Sequence, residues 1–167
     1  VFLAHRIGVI SDTHGLLREE ALAALRGSEL ILHAGDVGDQ QILTRLGELA
    51  PVFAVRGNID TAPWCNALPE TQIIETESAT IYMRHDAKQL DLNPAAAGFH
   101  IVVSGHSHKP ERIERNGVLY LNPGSAGPRR FHLPISLARL NLSTRPWQIE
   151  FVDLTGGPRQ ERSSTAK

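Results

Sequence analysis

Three short apolar runs in the first 56 residues alternate with two stretches of helical period, and this alternation restricts the fold more than any other feature. Residues 6–11 (RIGVIS), 29–34 (ELILHA) and 51–56 (PVFAVR) have the length and character of buried strands. Residues 16–25 (LLREEALAAL) and 40–49 (QQILTRLGEL) carry apolar side chains at helical spacing. Asp12 and Thr13 stand where they can cap the first helix, Gly27 follows it, and Pro51 stops the second. Such strand–helix–strand units close as right-handed crossovers on a parallel sheet. Further along, 71–77, 79–85, 100–105, 111–121, 135–142 and 147–154 read as strands, with Asn116-Gly117 as a hairpin turn. Residues 91–99 have room for one short helix at most. The pattern predicts an α/β domain over residues 1–155, two packed sheets flanked by helices, with a disordered polar tail at 156–167.

Each of five apolar runs ends in residues able to bind a metal. Ser11-Asp12-Thr13-His14 follows the first, Gly35-Asp36 the second and Gly57-Asn58-Ile59-Asp60 the third. His85-Asp86 follows 79–84, and Gly105-His106-Ser107-His108 follows 100–104. Ligands of open α/β sheets sit beyond the carboxyl ends of the strands, so these segments are expected to converge. Singly, each has an ordinary explanation. Asp12 suits a helix cap, Asp36 and Asn58 suit turns, His85 suits a strand end, and His106 and His108 suit an exposed edge. Five such coincidences at successive strand ends are a poorer explanation than one shared site. The donors are nitrogen and oxygen without thiolate, which disfavours iron–sulfur and Cu(I) and suits Mn, Fe, Co, Ni or Zn. Seven side chains are too many for one ion and suit two ions sharing a carboxylate.

Composition narrows the rest. Seventeen basic residues against 18 acidic ones give a net charge of -1, so bulk attraction to nucleic acid or an anionic membrane is not expected. The lone Cys65 permits no intramolecular disulfide and suits a reducing, cytoplasmic setting. No apolar stretch approaches the roughly 20 residues that span a bilayer, and VFLAHRIGVISD reads as a first strand rather than a signal peptide. C-terminal edge strands leave a homo-oligomer open.

In order, D-x-H (Asp12, His14), G-D (Asp36), G-N-x-D (Asn58, Asp60), a later His (His85) and G-H-x-H (His106, His108) resemble the calcineurin-like metallophosphoesterases. The G-N-x-D form, the small size and NPGSAGPRR (122–130) resemble their compact YfcE/Vps29-like branch; the resemblance covers residues 6 to 154. It implies a four-layer αββα sandwich with a di-metal site at the strand C-terminal ends. It assigns Asp12, His14, Asp36 and His108 to one ion, and Asp36, Asn58, His85 and His106 to the other, so Asp36 is shared. Mn is the usual ion of such relatives, with Fe, Zn, Ni or Co tolerated. The implied activity is hydrolysis of small phosphodiesters or monoesters, with hydroxide between two ions as nucleophile and Asp36, Asn58 and His85 at the catalytic centre. The alternative within the branch is a Vps29-like interaction scaffold with weak or no catalysis. The complete set His14, His85, His106 and His108 favours chemistry.

Two features depart from the family pattern. Asp86-Ala87 follow His85 where many relatives have Gly and then often His, and the stretch from His85 to His106 is short. Larger members carry a His after the Gly-Asn pair; Ile59 stands there, so no side chain is assigned to protonate the leaving group. Asp39 and Asp60 are expected around the ligands or as loop-stabilising residues rather than on the metal, and Asp86 is expected to orient His85 or a metal-bound water or to lie solvated on a turn. Arg56 is expected to meet phosphate oxygens, Arg129 and Arg130 to be solvated, and His33 to be a satisfied core histidine. Trp64 is expected over the site or in the core.

Overall fold

The computed structural model describes residues 1–156; the expected tail, apart from Gly156, lies outside them. Period-two alternation sorts each strand's side chains between two apolar layers. In β1 (Arg6–Ile10), Ile7 and Val9 face one layer and Ile10 the other, and all three are buried. β2 (Leu30–His33) and β3 (Val52–Ala54) add in parallel through helices α1 (Glu19–Leu25) and α2 (Gln40–Gly47). β9 (Ser136–Asn141) and β10 (Gln148–Asp153) complete this sheet antiparallel, in the order β10-β9-β1-β2-β3. The second sheet has the order β4-β5-β6-β8-β7. It is built from β4 (Thr71–Glu75), β5 (Thr80–Arg84), β6 (Ile101–Val103), β7 (Pro110–Arg115) and β8 (Val118–Pro123).

One core lies between the sheets, where Ile7, Val9, Leu32, Ile81, Met83, Ile101, Val103 and Leu121 meet. The other lies under α1 and α2, where Ile10, Leu25, Ile31, Ile42, Leu46 and Leu137 meet. Each such side chain contributes roughly 1.5–3 kcal/mol by leaving water. Two five-stranded mixed sheets with helices outside give the αββα sandwich. Its fourth layer is thin: a 3-10 turn (Ala87–Gln89) and the turn at 94–98 stand over the second sheet. Phe99 closes that turn by stacking on Tyr82, ring centroids 4.9 Å apart.

Some expected boundaries differ. The first helix begins at Glu19, with Arg18 at its N-cap and no side-chain cap, so Asp12 and Thr13 cap nothing there. A 3-10 segment, Pro63–Ala67, follows β3, and its Trp64, half-buried, packs against the core under the helices. The Asn116-Gly117 hairpin forms as the dipeptide predicts, both residues at positive φ.

Candidate metal centre

β1, β2 and β3 run in parallel, as do β5, β6 and β8, so the segments after them gather at one end of the sandwich. Asp12, Asp36, His85 and His108 are buried there, His14 is 15% exposed in its side chain and His106 47%. The Asp36 Oδ2 atom stands 3.5 Å from His14 Nε2 and 3.3 Å from His85 Nε2. Asp12 Oδ1 stands 3.2 Å from His108 Nε2 and 3.7 Å from His14 Nε2. On the other side, Asn58 Oδ1 stands 3.1 Å from His85 Nε2 and 3.2 Å from His106 Nδ1. Among the described residues, two triads have donor atoms within 4.8 Å of one another: Asp12, His14 and His108, and Asp12, Asp36 and His85.

These donors fit cations better than one another. Asp12 Oδ1 and His14 Nε2 are buried without a hydrogen-bond partner, despite their near neighbours. Buried polar atoms are rarely left so, and an ion would satisfy both. Donors about 2.0–2.2 Å from a common ion stand roughly 3–3.5 Å apart, close to the spacing found. His85 Nδ1–H donates to the Ala34 carbonyl at 2.7 Å, which leaves Nε2 free to face an ion. Burial works to raise the Asp12 and Asp36 carboxyls, yet His108, His14 and Ser11 hold Asp12 below the usual range, and His85 with the Ile59 N–H does so for Asp36. Burial works to lower His85, but Asp36 and Asp12 raise it overall.

The backbone is bent to aim these groups. Asp12, His14, Asp36, His106 and His108 have φ of 54°, 47°, 55°, 68° and 60°, the left-handed region that non-glycine residues avoid. Such conformations cost on the order of 1–3 kcal/mol each and persist where surrounding contacts over-determine them. Close packing is part of that constraint. A Cβ on Gly57 would overlap Asp36 Oδ1, and one on Gly105 would overlap Ser11 Oγ and Asp12 Oδ2.

The supporting residues sort by their partners. Asp60 is buried and accepts from the N–H groups of Val37 (3.2 Å), Gly38 (3.0 Å) and Gly57 (2.9 Å), tying the loop of Asp36 to that of Asn58. Asp39 takes the loop-stabilising role of the two expected for it: it is exposed and caps α2 by accepting from Gln41 N–H. Asp86 faces His106, not His85, with Oδ2 at 3.9 Å from Nε2, and its Oδ1 accepts from Lys88 N–H. Arg56 borders the cleft beside Asn58, His85 and His106, its Nη2 3.3 Å from Glu70. Arg129 and Arg130 are exposed. His33 is a core histidine, fully buried between Thr13 and Gly35.

Asn122, Ser125 and Ser11 lie in stretches that the sequence singles out, but their supporting contacts were not foreseen. Asn122, at the end of β8, donates to Gly105 O (2.8 Å) and Ser107 Oγ (3.0 Å), which fixes the loop of His106 and His108. Ser125 Oγ donates to the Asp12 carbonyl at 3.0 Å. Ser11 Oγ donates to Asp12 Oδ2 at 2.6 Å, and His106 N–H donates to the same oxygen at 3.1 Å. The strand-end rule that found the other five segments applies equally to Asn122, because β8 lies parallel to β6.

The model of the calcineurin-like phosphoesterase superfamily domain matches residues 6–145. A protein of Methanothermobacter thermautotrophicus named a probable metallophosphoesterase is 40% identical, over 91% of this chain and 94% of its own. The phosphodiesterase YfcE of Escherichia coli is 28% identical, over 78% of this chain and 84% of its own. In three dimensions, zinc-complexed Vps29 of Entamoeba histolytica superposes with a TM-score of 0.67 at 24% identity, over 89% of this chain and 99% of that one.

Proposed function

The chain belongs to the calcineurin-like phosphoesterase superfamily, and from that premise we propose that it hydrolyses small phosphodiesters with two divalent ions. The observation that carries the proposal is the position of Asp36 Oδ2 between His14 Nε2 and His85 Nε2, at 3.5 and 3.3 Å. Asp12, His14, Asp36 and His108 would hold one ion; Asp36, Asn58, His85 and His106 would hold the other, with Asp36 common to both. Such a pair supplies a water deprotonated near neutral pH and positive charge against the phosphoryl oxygens. The nitrogen and oxygen donors suit manganese, iron, cobalt, nickel or zinc alike, and the family resemblance makes manganese the first ion to test.

The chain's own residues set the rest. Asn58, at the open side of the cluster, would orient the phosphoryl group, His85 would act through the ion it holds, and Arg56 offers guanidinium donors to the phosphoryl oxygens. Ile59, 40% exposed, occupies the place where larger relatives have a histidine, and it has no proton to give. The reaction therefore favours esters whose leaving groups depart without protonation, which points to acidic phosphodiesters ahead of alkyl monoesters. The proposal includes cytoplasmic action on a small substrate without a membrane or nucleic-acid partner.

Manganese-dependent hydrolysis of bis(p-nitrophenyl) phosphate tests this reading: wild type turns over and Asp36→Ala falls to background. A metal-loaded wild type without turnover, or an Asp36→Ala variant that keeps it, contradicts the proposal and favours the scaffold role.

A further inference from the structure

Two clefts meet at the exposed side of the metal centre, with His106 and Asp86 forming part of both. The smaller, about 170 Å³, includes Arg56 and Arg84. The larger, about 660 Å³, runs from His106 along the outer face of the second sheet. Sites for organic ligands span roughly 300–1,000 Å³. The smaller cleft falls below that range and suits a phosphoryl group; the larger lies within it.

The larger cleft exists because the fourth layer stops short. Phe99 covers Tyr82, and Val102 beside it is buried, so the cover extends over β5 and β6. Next in register come Tyr120 on β8 and Ile113 on β7, and both remain half-buried. Leu90, just after the 3-10 turn, lines the same cleft from the other side. Lys88 and Arg115 at its edge are offset in number by Asp86 and Glu111, and the Arg115 guanidinium stands 5.7 Å from the centre of the Tyr120 ring, so a flat ring would stack there beside a cation.

We infer that this groove binds the retained ester arm of the substrate, and that the arm carries a flat aromatic group such as a nucleobase, seated between Leu90, Ile113 and Tyr120. The inference rests on the phosphodiesterase reading and specifies its substrate. Stacking on an aromatic side chain tolerates any flat ring, and its loss is expected to cost about ten-fold per contact.

The test compares two esters with the same p-nitrophenolate leaving group: thymidine 5′-(p-nitrophenyl phosphate) and methyl p-nitrophenyl phosphate. Wild type should prefer the thymidine ester in kcat/KM, and Tyr120→Ala and Leu90→Ala should each lower the thymidine-to-methyl ratio about ten-fold. An unchanged ratio in both variants overturns the inference. A second readout is independent of turnover. In zinc-loaded protein, thymidine 5′-phosphate should move the amide NMR signals of Leu90, Ile113 and Tyr120, and inorganic phosphate should leave them in place. Movement there supports the groove even if wild type cleaves neither ester, a result that would sink only the phosphodiesterase reading; no movement overturns the groove.

Discussion

Acid should weaken the metal-free fold through His33 within a defined pH window. Gly35 N–H donates to His33 Nδ1 at 3.2 Å, so the ring proton sits on Nε2 and is donated to Thr13 Oγ1 at 3.0 Å. The Thr13 hydroxyl in turn donates to the Val37 carbonyl at 2.8 Å. A second ring proton would point at the Gly35 N–H. Burial is the largest influence and pushes the His33 pKa from 6.5 down to about 4, against a smaller upward pull from Asp12 and Asp60. The unfolded chain takes up this proton near pH 6.5 and the folded chain only near pH 4. Between those values the unfolded state binds more protons, so the His33 contribution is complete above pH 6.5 and is lost as the pH falls to 4. At about 1.4 kcal/mol per pKa unit, that loss is roughly 3 kcal/mol.

The comparison is His33→Gln, which does not titrate and keeps a donor toward Thr13. It leaves the Gly35 N–H without its acceptor, at a cost of about 1–3 kcal/mol. Urea unfolding of both proteins in chelator, from pH 7 to pH 4, measures the difference in stability; titration of the shared carboxylates cancels in it. The wild-type advantage should shrink by about 3 kcal/mol across that range. A difference that stays constant with pH would refute the reasoning.

Three further outcomes are expected. Asp60→Asn turns an amide toward the Val37, Gly38 and Gly57 N–H groups, and calorimetric titration with a divalent ion should show roughly 10–100-fold weaker binding. Gly105→Ala forces Ser11 and Asp12 apart from β6, so denaturation should show a loss of about 1–3 kcal/mol together with lower metal occupancy. A divalent ion at about 100 times its dissociation constant should stabilise the wild-type fold by roughly 2.7 kcal/mol, and Asp36→Ala should lose most of that gain.

The sequence carried the strands and the ends of those strands, because both are local signals. The runs around Val9, Leu32, Met83 and Val102 are apolar on both faces, and the polar residues that end them stand out for that reason. Where the reading failed, the cause was long-range or conformational. Asp12 resembles a helix cap in sequence, but its φ of 54° turns the chain toward the cluster, and the helix starts seven residues later at Glu19. Asp39 and Asp60 look alike as loop carboxylates. Only the return of β3 beside β2 shows that Asp60 meets the Asp36 loop while Asp39 caps its own helix. Ser125 reaches Asp12 across 113 positions, a separation at which no periodicity informs. The open groove beside Tyr120 depended on how far a short connection covers a sheet, which is a property of its folded path.

Metal stoichiometry tests the central claim most directly. Elemental analysis of protein loaded with manganese and then desalted should find two ions per chain in wild type, and fewer in Asp36→Ala, whose shared oxygen is gone. A metal-free wild type, or an Asp36→Ala variant that retains both ions, would contradict the account.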